Sequence, residues 1–361
     1  MKPEYKVPTM KEIESLPKNG FKVVSTFSGG GGSCLGYRMA GYDVVYANEF
    51  VEEAQKTYRA NHSAYLDTRD IRQVMPEDIL EITGLKRGEL DLFDGSPPCC
   101  AFSTAGSREK GWGEERSYSD GKKQRVDDLF FEYTRLLKGL QPKCFIAENV
   151  SGLVKGKAKG YFKLILQELK NCGYFVRVQL LNAQWLGVPQ NRQRVIFHGV
   201  RNDLNLAPVF PKPFNYYYTL ADAFKNLPES NAQEAQERAE AIKEYSVYRV
   251  MQRISKNPNR PIAGDPLKKN SRFNLIRQSW DYPCSTVCQT GNDGCASVFH
   301  PSEDRKFTIS ELKRITSIPD DFILTGTFAQ QWERLGRMVP PVMMKNISET
   351  IAREILCKTK S

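Results

Sequence analysis

The chain has 361 residues, 40% of them apolar, and a formal net charge of +10, enough to fill one large core with a smaller domain appended. No apolar run reaches the roughly 18 residues of a membrane span, and the start MKPEYKVPTMKEIESLPKNG lacks the apolar centre of a secretion signal, so a soluble, cytoplasmic protein with no membrane partner is expected. Nine cysteines without a CxxC pair argue against a disulfide framework and leave room for a catalytic thiol, while the positive charge points to a polyanionic partner or to a solvated basic face.

In chain order, FKVVSTFS, YDVVYANE, LDLFDGS, KCFIAENV, YFVRVQLLN and RVIFHGV read as short strands rich in branched and aromatic residues. Helical spacing lies between them at residues 32–40, 52–61, 126–139 and 160–172. The alternation predicts an α/β fold, a doubly wound and mainly parallel sheet. Past residue 205 the pattern breaks at PVFPKPFNYYY, followed by a polar helical stretch over 229–254 and the proline-rich NPNRPIAGDP. Helical signals return in TISELKRIT and VMMKNISETIAREILC. Three segments follow: a doubly wound domain over 1–205, a different domain over 206–300, and residues 301–361 returning to the first.

The chemistry gathers at strand ends, where such sheets bind ligands. FSGGGGSCLGY follows a strand and opens a helix, but no register gives GxGxxG, which disfavours a nicotinamide dinucleotide. Glu49 ends the next strand, where a carboxylate accepts ribose hydroxyls, and Asp70 follows at a third strand end, placed to accept from an adenine amino group. This set fits an adenosine whose remaining part is cationic, such as a sulfonium. The fourth strand ends in GSPPCC, where either thiol could act or both could be small buried caps. Glu148 lies on an otherwise apolar strand, where an unpaired carboxylate is costly. Arg192 and Arg194, two apart at a strand start, are expected on one face.

These residues resemble the S-adenosylmethionine-dependent DNA cytosine-5 methyltransferases, with motifs in the family's order across nearly the whole chain. Phe27 to Gly32 resembles the F-x-G-x-G-G turn, Asn48-Glu49 and Asp70-Ile71 the next two motifs, and Pro98-Cys99 the Pro-Cys motif. Glu148-Asn149-Val150 resembles ENV, and Gln190 to Arg194 resembles Q-x-R-x-R. RKFTISELKRITSIPDDF and LGRMVPPVMMKNI resemble the closing motifs. Two departures stand out: Ser25 where many relatives carry aspartate, and Arg337-Met338 where asparagine and a small residue are usual.

The resemblance implies that Cys99, directly after the proline, attacks carbon 6 of a flipped-out cytosine while Glu148 holds the N3 edge and Arg194, supported by Arg192, orients the base. It implies S-adenosylmethionine at Phe27, Ser28, Gly29, Gly31, Gly32, Asn48, Glu49, Phe50, Asp70, Ile71, Pro98, Arg337 and Val339; Arg337 either pairs with the methionine carboxylate or faces solvent. The resemblance makes 1–205 the catalytic and cofactor-binding domain and 206–300 the target-recognition domain, with double-stranded DNA the expected partner. Ser103 lies in the glycine-rich loop 101–123, read as a phosphate-contacting lid or an ordinary surface loop. Lys268, Lys269 and Arg272 lie in a basic strip, residues 249–277, with eight Lys/Arg and one acid, suited to phosphates or simply solvated. Thr286, Gln289, Thr290 and Asn292 are placed to meet base edges. Cys284, Cys288, Cys295 and His300 lack the tight pairs of a zinc site, and no metal is expected. A monomer is expected, with any cognate restriction endonuclease not required for activity. The rival readings are a tRNA cytosine-5 methyltransferase and a catalytically inactive DNA-binding relative.

Overall fold

The apolar runs become the strands of one sheet. They are β1 (Lys22–Thr26), β2 (Asp43–Asn48), β3 (Tyr65–Asp67), β4 (Leu92–Gly95), β5 (Cys144–Val150), β6 (Tyr174–Asn182) and β7 (Gln193–Arg201). The computed structural model describes residues 2–98, 128–154, 159–266, 274–291 and 293–359, together with the backbone of the short paired strands Glu115–Ser117 and Lys123–Arg125.

The sheet order is β3-β2-β1-β4-β5-β7-β6, the doubly wound arrangement the alternation predicts. The pairs β1–β2, β2–β3, β1–β4 and β4–β5 are parallel, and β7 runs antiparallel to β5 with Ile196 opposite Glu148. All of β4 and all of β5 except Val150 are buried, as expected of strands covered on both faces.

The helices α1 (Gly32–Met39), α2 (Glu52–Asn61), α4 (Leu129–Leu140) and α5 (Lys159–Asn171) fall close to their expected bounds. A further helix, α3 (Pro76–Thr83), has too short an apolar face to stand out; it opens on a proline and closes on left-handed Gly84. On α4 the residues Leu129, Phe130, Tyr133, Leu136, Leu137 and Leu140 share one stripe and join Phe93, Phe145 and Phe197 in the core. Each large side chain buried there stabilises the fold by roughly 1.5–3 kcal/mol.

The chain divides into two compact units. The sheet unit comprises Glu14–Leu181, Gln193–Lys212 and Met344–Ser361; the second comprises Met1–Ile13, Asn182–Arg192 and Pro213–Met343. The break after Lys212 lies near the expected 205/206 boundary, but residues 301–343 group with the second unit and only Met344–Ser361 with the sheet. The start of the chain also joins the second unit, because Tyr5 is buried against Tyr218 and its hydroxyl donates to the Arg314 carbonyl at 2.6 Å. The helical stretch expected over 229–254 is split into Ser230–Ala241, a 3-10 turn at Ile242–Glu244 and Ser246–Met251, with Tyr245 extended between the last two. Ile242, Val247, Met251, Leu275 and Phe299 belong to one hydrophobic cluster of that unit. Among the described residues, no helix is long and apolar enough to cross a membrane.

Candidate active site and nucleic-acid interface

Between β1 and α1 the backbone turns through the left-handed region at Phe27, Gly29 and Gly31, with φ of 53°, 56° and 92°. For a bulky residue such as Phe27 that conformation costs about 1–2 kcal/mol, so the surroundings must impose it. They do so through hydrogen bonds. The Ser28 N–H donates to the Asn48 carbonyl at 3.1 Å. The Glu49 carboxylate accepts from Gly29 N–H and from Val51 N–H, both at 2.7 Å. The Asn48 amide donates to the carbonyls of Asp67 and Arg69. A Cβ on Gly31 would fall inside the His62 ring, so only glycine fits there. His62 is buried and its pKa falls to about 3, first through burial and then through the Arg38 guanidinium. It therefore supports the turn as a neutral ring. Sequence reading missed His62, because the contact exists only once α2 packs beside the turn.

Asp70 is placed differently from expectation. β3 ends at Asp67, and Asp70 caps the short 3-10 turn Ile71–Gln73 by accepting from Arg72 N–H at 3.0 Å. Arg72 also reaches Asp128 at 2.6 Å. Ile71 is buried, and the carbonyl of half-buried Phe50 accepts from Gln55.

On the other side of β1, Glu148 and Arg194 meet. Register sets Glu148 opposite Ile196, which makes Arg194 its diagonal neighbour on the same face, within reach of a long side chain. The guanidinium Nε lies 2.6 Å from Glu148 Oε1, with each side chain about nine-tenths buried. This pairing answers the cost of a carboxylate on an apolar strand. Next to it, the Asn149 amide donates to the Pro97 carbonyl at 3.1 Å, holding the end of the β4 loop next to half-buried Pro98. Cys99 and Ser103 lie outside the described residues.

Arg192 does not share that face. The strand is interrupted at Arg192, which belongs to the second unit, so the alternation that would align it with Arg194 does not run through it. Its side chain is buried, and its guanidinium donates to the Val287 carbonyl at 2.8 Å and the Gly336 carbonyl at 2.7 Å. Arg192→Ala is expected to leave both carbonyls unsatisfied and to cost about 2–5 kcal/mol. Thermal unfolding should register this as a drop of several degrees. An unchanged melting temperature with a reduced kcat would instead place Arg192 in the chemistry.

In the second unit, Gln289 and Thr290 are exposed, whereas the Thr286 hydroxyl donates to the Asn191 carbonyl at 2.7 Å. The helix Phe328–Arg337, not anticipated from the sequence, supports this loop: Trp332 Nε1 donates to the Cys288 carbonyl, and Gly336 admits the backbone of Cys288 and Gln289 too closely for any side chain. Arg337 pairs with Glu333 at 2.7 Å, one turn back on the same helix, and Val339 is buried. Lys268, Lys269, Arg272 and Asn292 lie outside the described residues. Among the described residues, no three His, Cys, Asp or Glu side chains converge to hold a metal.

A glycine turn after the first strand, an acid after the second and a seven-stranded sheet of order β3-β2-β1-β4-β5-β7-β6 with β7 antiparallel to β5 make this the class I methyltransferase architecture. The C-5 cytosine-specific DNA methylase family matches residues 21–353, and the chain belongs to that family. The chain is 30% identical to the type II methyltransferase M.FnuDI of Fusobacterium nucleatum, over 91% of this chain and 95% of that protein. It is 31% identical to the type II methyltransferase M.MthTI of Methanothermobacter thermautotrophicus, over 92% and 97%. A solved structure of a candidate DNA modification methyltransferase encoded within an E. coli prophage superposes with a TM-score of 0.70 at 21% identity, over 93% of this chain and all of that one. The protein is thus a DNA cytosine-5 methyltransferase.

Proposed function

We propose that the protein methylates cytosine at specific sites in double-stranded DNA, using S-adenosylmethionine, with Cys99 as the nucleophile. The Glu148–Arg194 pair carries this reading. It offers one carboxyl edge and one planar donor fork, the complement of the N3 edge and carbonyl oxygen of cytosine. Asn149 fixes the Pro97 carbonyl two residues ahead of Cys99. Cys99 adds to carbon 6, Glu148 supports the charge that collects at N3, and carbon 5 becomes nucleophilic. Once carbon 5 carries the methyl group, loss of its proton and departure of the thiolate restore the ring.

The turn fits the cofactor. A side chain on Gly29 would meet no atom within 4 Å, so open space lies beside the Glu49 carboxylate, a group suited to ribose hydroxyls. When bound, S-adenosylmethionine supplies an electrophilic methyl group. Glu49→Ala is expected to weaken its binding at least about tenfold, the equivalent of one charge-assisted contact of roughly 1.5–3 kcal/mol. Titration calorimetry showing unchanged affinity would remove Glu49 from the site.

The second unit suits sequence readout, with Gln289 and Thr290 exposed on a braced loop. The protein acts in the cytoplasm as a monomer; its type II relatives fit a restriction-modification setting in which a cognate endonuclease is not needed for methylation. The test is transfer of tritium from labelled S-adenosylmethionine to duplex DNA, single-stranded DNA and tRNA. Label in duplex DNA, recovered as 5-methylcytosine after digestion, is expected. Label confined to tRNA, or none at all, would overturn the reading.

A further inference from the structure

Ser25 and Asp94 are directly opposed on β1 and β4, one residue before each strand ends. The Ser25 hydroxyl donates to Asp94 Oδ2 at 2.9 Å, and the Tyr37 hydroxyl from α1 donates to Oδ1 at 2.9 Å. The Ser28 hydroxyl lies 3.1 Å from Ser25 Oγ, which extends the chain into the turn. Asp94 is 1% exposed and precedes Cys99 by five residues. One buried carboxylate thus gathers hydroxyls from the strand before the turn and the helix after it, and no step of the methylation chemistry uses it.

We propose that Asp94 is a positioning residue that fixes the Phe27–Gly32 turn against the strand leading to Cys99, and thereby sets the affinity for S-adenosylmethionine. This rests on the reading of that turn as the cofactor site. The groups around Asp94 are hydroxyls, one thiol and an acid. Tyr37 and Cys34 face it from α1, Tyr58 from α2, Tyr133 from α4 and Glu148 from β5. Burial raises its pKa to about 7, opposed by the Ser25 and Tyr37 hydrogen bonds and reinforced by Glu148. As an anion it accepts from both hydroxyls; once protonated, one of the two must turn and accept instead. The ordered chain, and tight cofactor binding with it, therefore belongs above neutral pH.

The test uses the full chain with Asp94→Asn, Asp94→Ser and the exchanged pair Ser25→Asp/Asp94→Ser. It reads S-adenosylmethionine affinity by calorimetry at pH 6.0 and 8.5, the KM against kcat split, and hydrogen exchange over residues 27–35 without ligand. At pH 8.5, Asp94→Ser should weaken binding about tenfold, with kcat within about threefold and faster exchange in the turn. The exchanged pair should recover to within about threefold, because the carboxylate returns to the same junction from the opposite strand. Asp94→Asn should be about fivefold weaker than the unaltered protein at pH 8.5 and within about twofold at pH 6.0. A folded Asp94→Ser protein with unaltered affinity and exchange would overturn the proposal. So would a folded exchanged pair no better than Asp94→Ser; if the single variant fails to fold, the exchanged pair is judged against the unaltered protein, and a folded pair about tenfold weaker overturns the proposal. Failure of the unaltered protein to bind S-adenosylmethionine would refute the cofactor reading, leaving turn exchange to decide the role of Asp94.

Discussion

Cys99→Ser is expected to abolish methyl transfer to DNA, while Cys100→Ser retains most of it. The reaction needs a nucleophile that is partly ionised near neutral pH, as a thiol is and a serine hydroxyl is not. The adjacent cysteines differ in what precedes them, because only Cys99 follows a proline with its fixed φ. The Asn149 to Pro97 hydrogen bond anchors the backbone just ahead of Cys99. Single-turnover assays with labelled cofactor check the pair. Both serine variants should still bind S-adenosylmethionine, which separates lost chemistry from lost folding. Equal losses from the two would leave the proline without a role in selecting the thiol.

The second large effect is expected at the ion pair. Glu148→Gln should lower kcat by about 10²–10⁴, the range for removing a positioned acid or base, with cofactor affinity within about twofold. Arg194→Ala should cost about 10²–10³, since it removes the fork at the base and leaves Glu148 charged without its 2.6 Å partner. Arg194→Lys should recover little, because an ammonium group cannot copy the planar donor fork. The double variant should lose far less than the product of the single losses, since the two residues act as a unit. Multiplicative losses in single-turnover rates would mean that they act separately.

What was legible in the sequence was what strand ends display. Phe27 to Gly32, Glu49 and Glu148 could be placed because glycines or acids interrupt apolar runs at the ends of predicted strands, and the observed strands carry them there. Arg192 was misplaced for a physical reason: period-two alternation holds only within an unbroken strand, and this one is interrupted at that residue. Asp70 was misplaced because β3 stops three residues earlier, at Asp67, which pairs instead with Tyr46 and Arg69. His62, Asp94, Tyr37 and Trp332 were not legible. Each acts through contact with a distant part of the chain, and a lone histidine or tryptophan carries no spacing signal. The attachment of residues 1–13 to the second unit was hidden likewise, since it depends on Tyr5 finding Tyr218 across more than two hundred residues.

The role of Cys99 is tested by covalent trapping on duplex DNA in which 5-fluorocytosine replaces cytosine throughout, so that the recognised site need not be known. Fluorine cannot leave as a proton does, so the ring stays bonded to the nucleophile after methyl transfer. A denaturation-resistant complex is expected that forms only with S-adenosylmethionine present and whose DNA-linked peptide maps to Cys99. A complex mapped to Cys100, or no complex from a preparation that methylates ordinary duplex DNA, would contradict it.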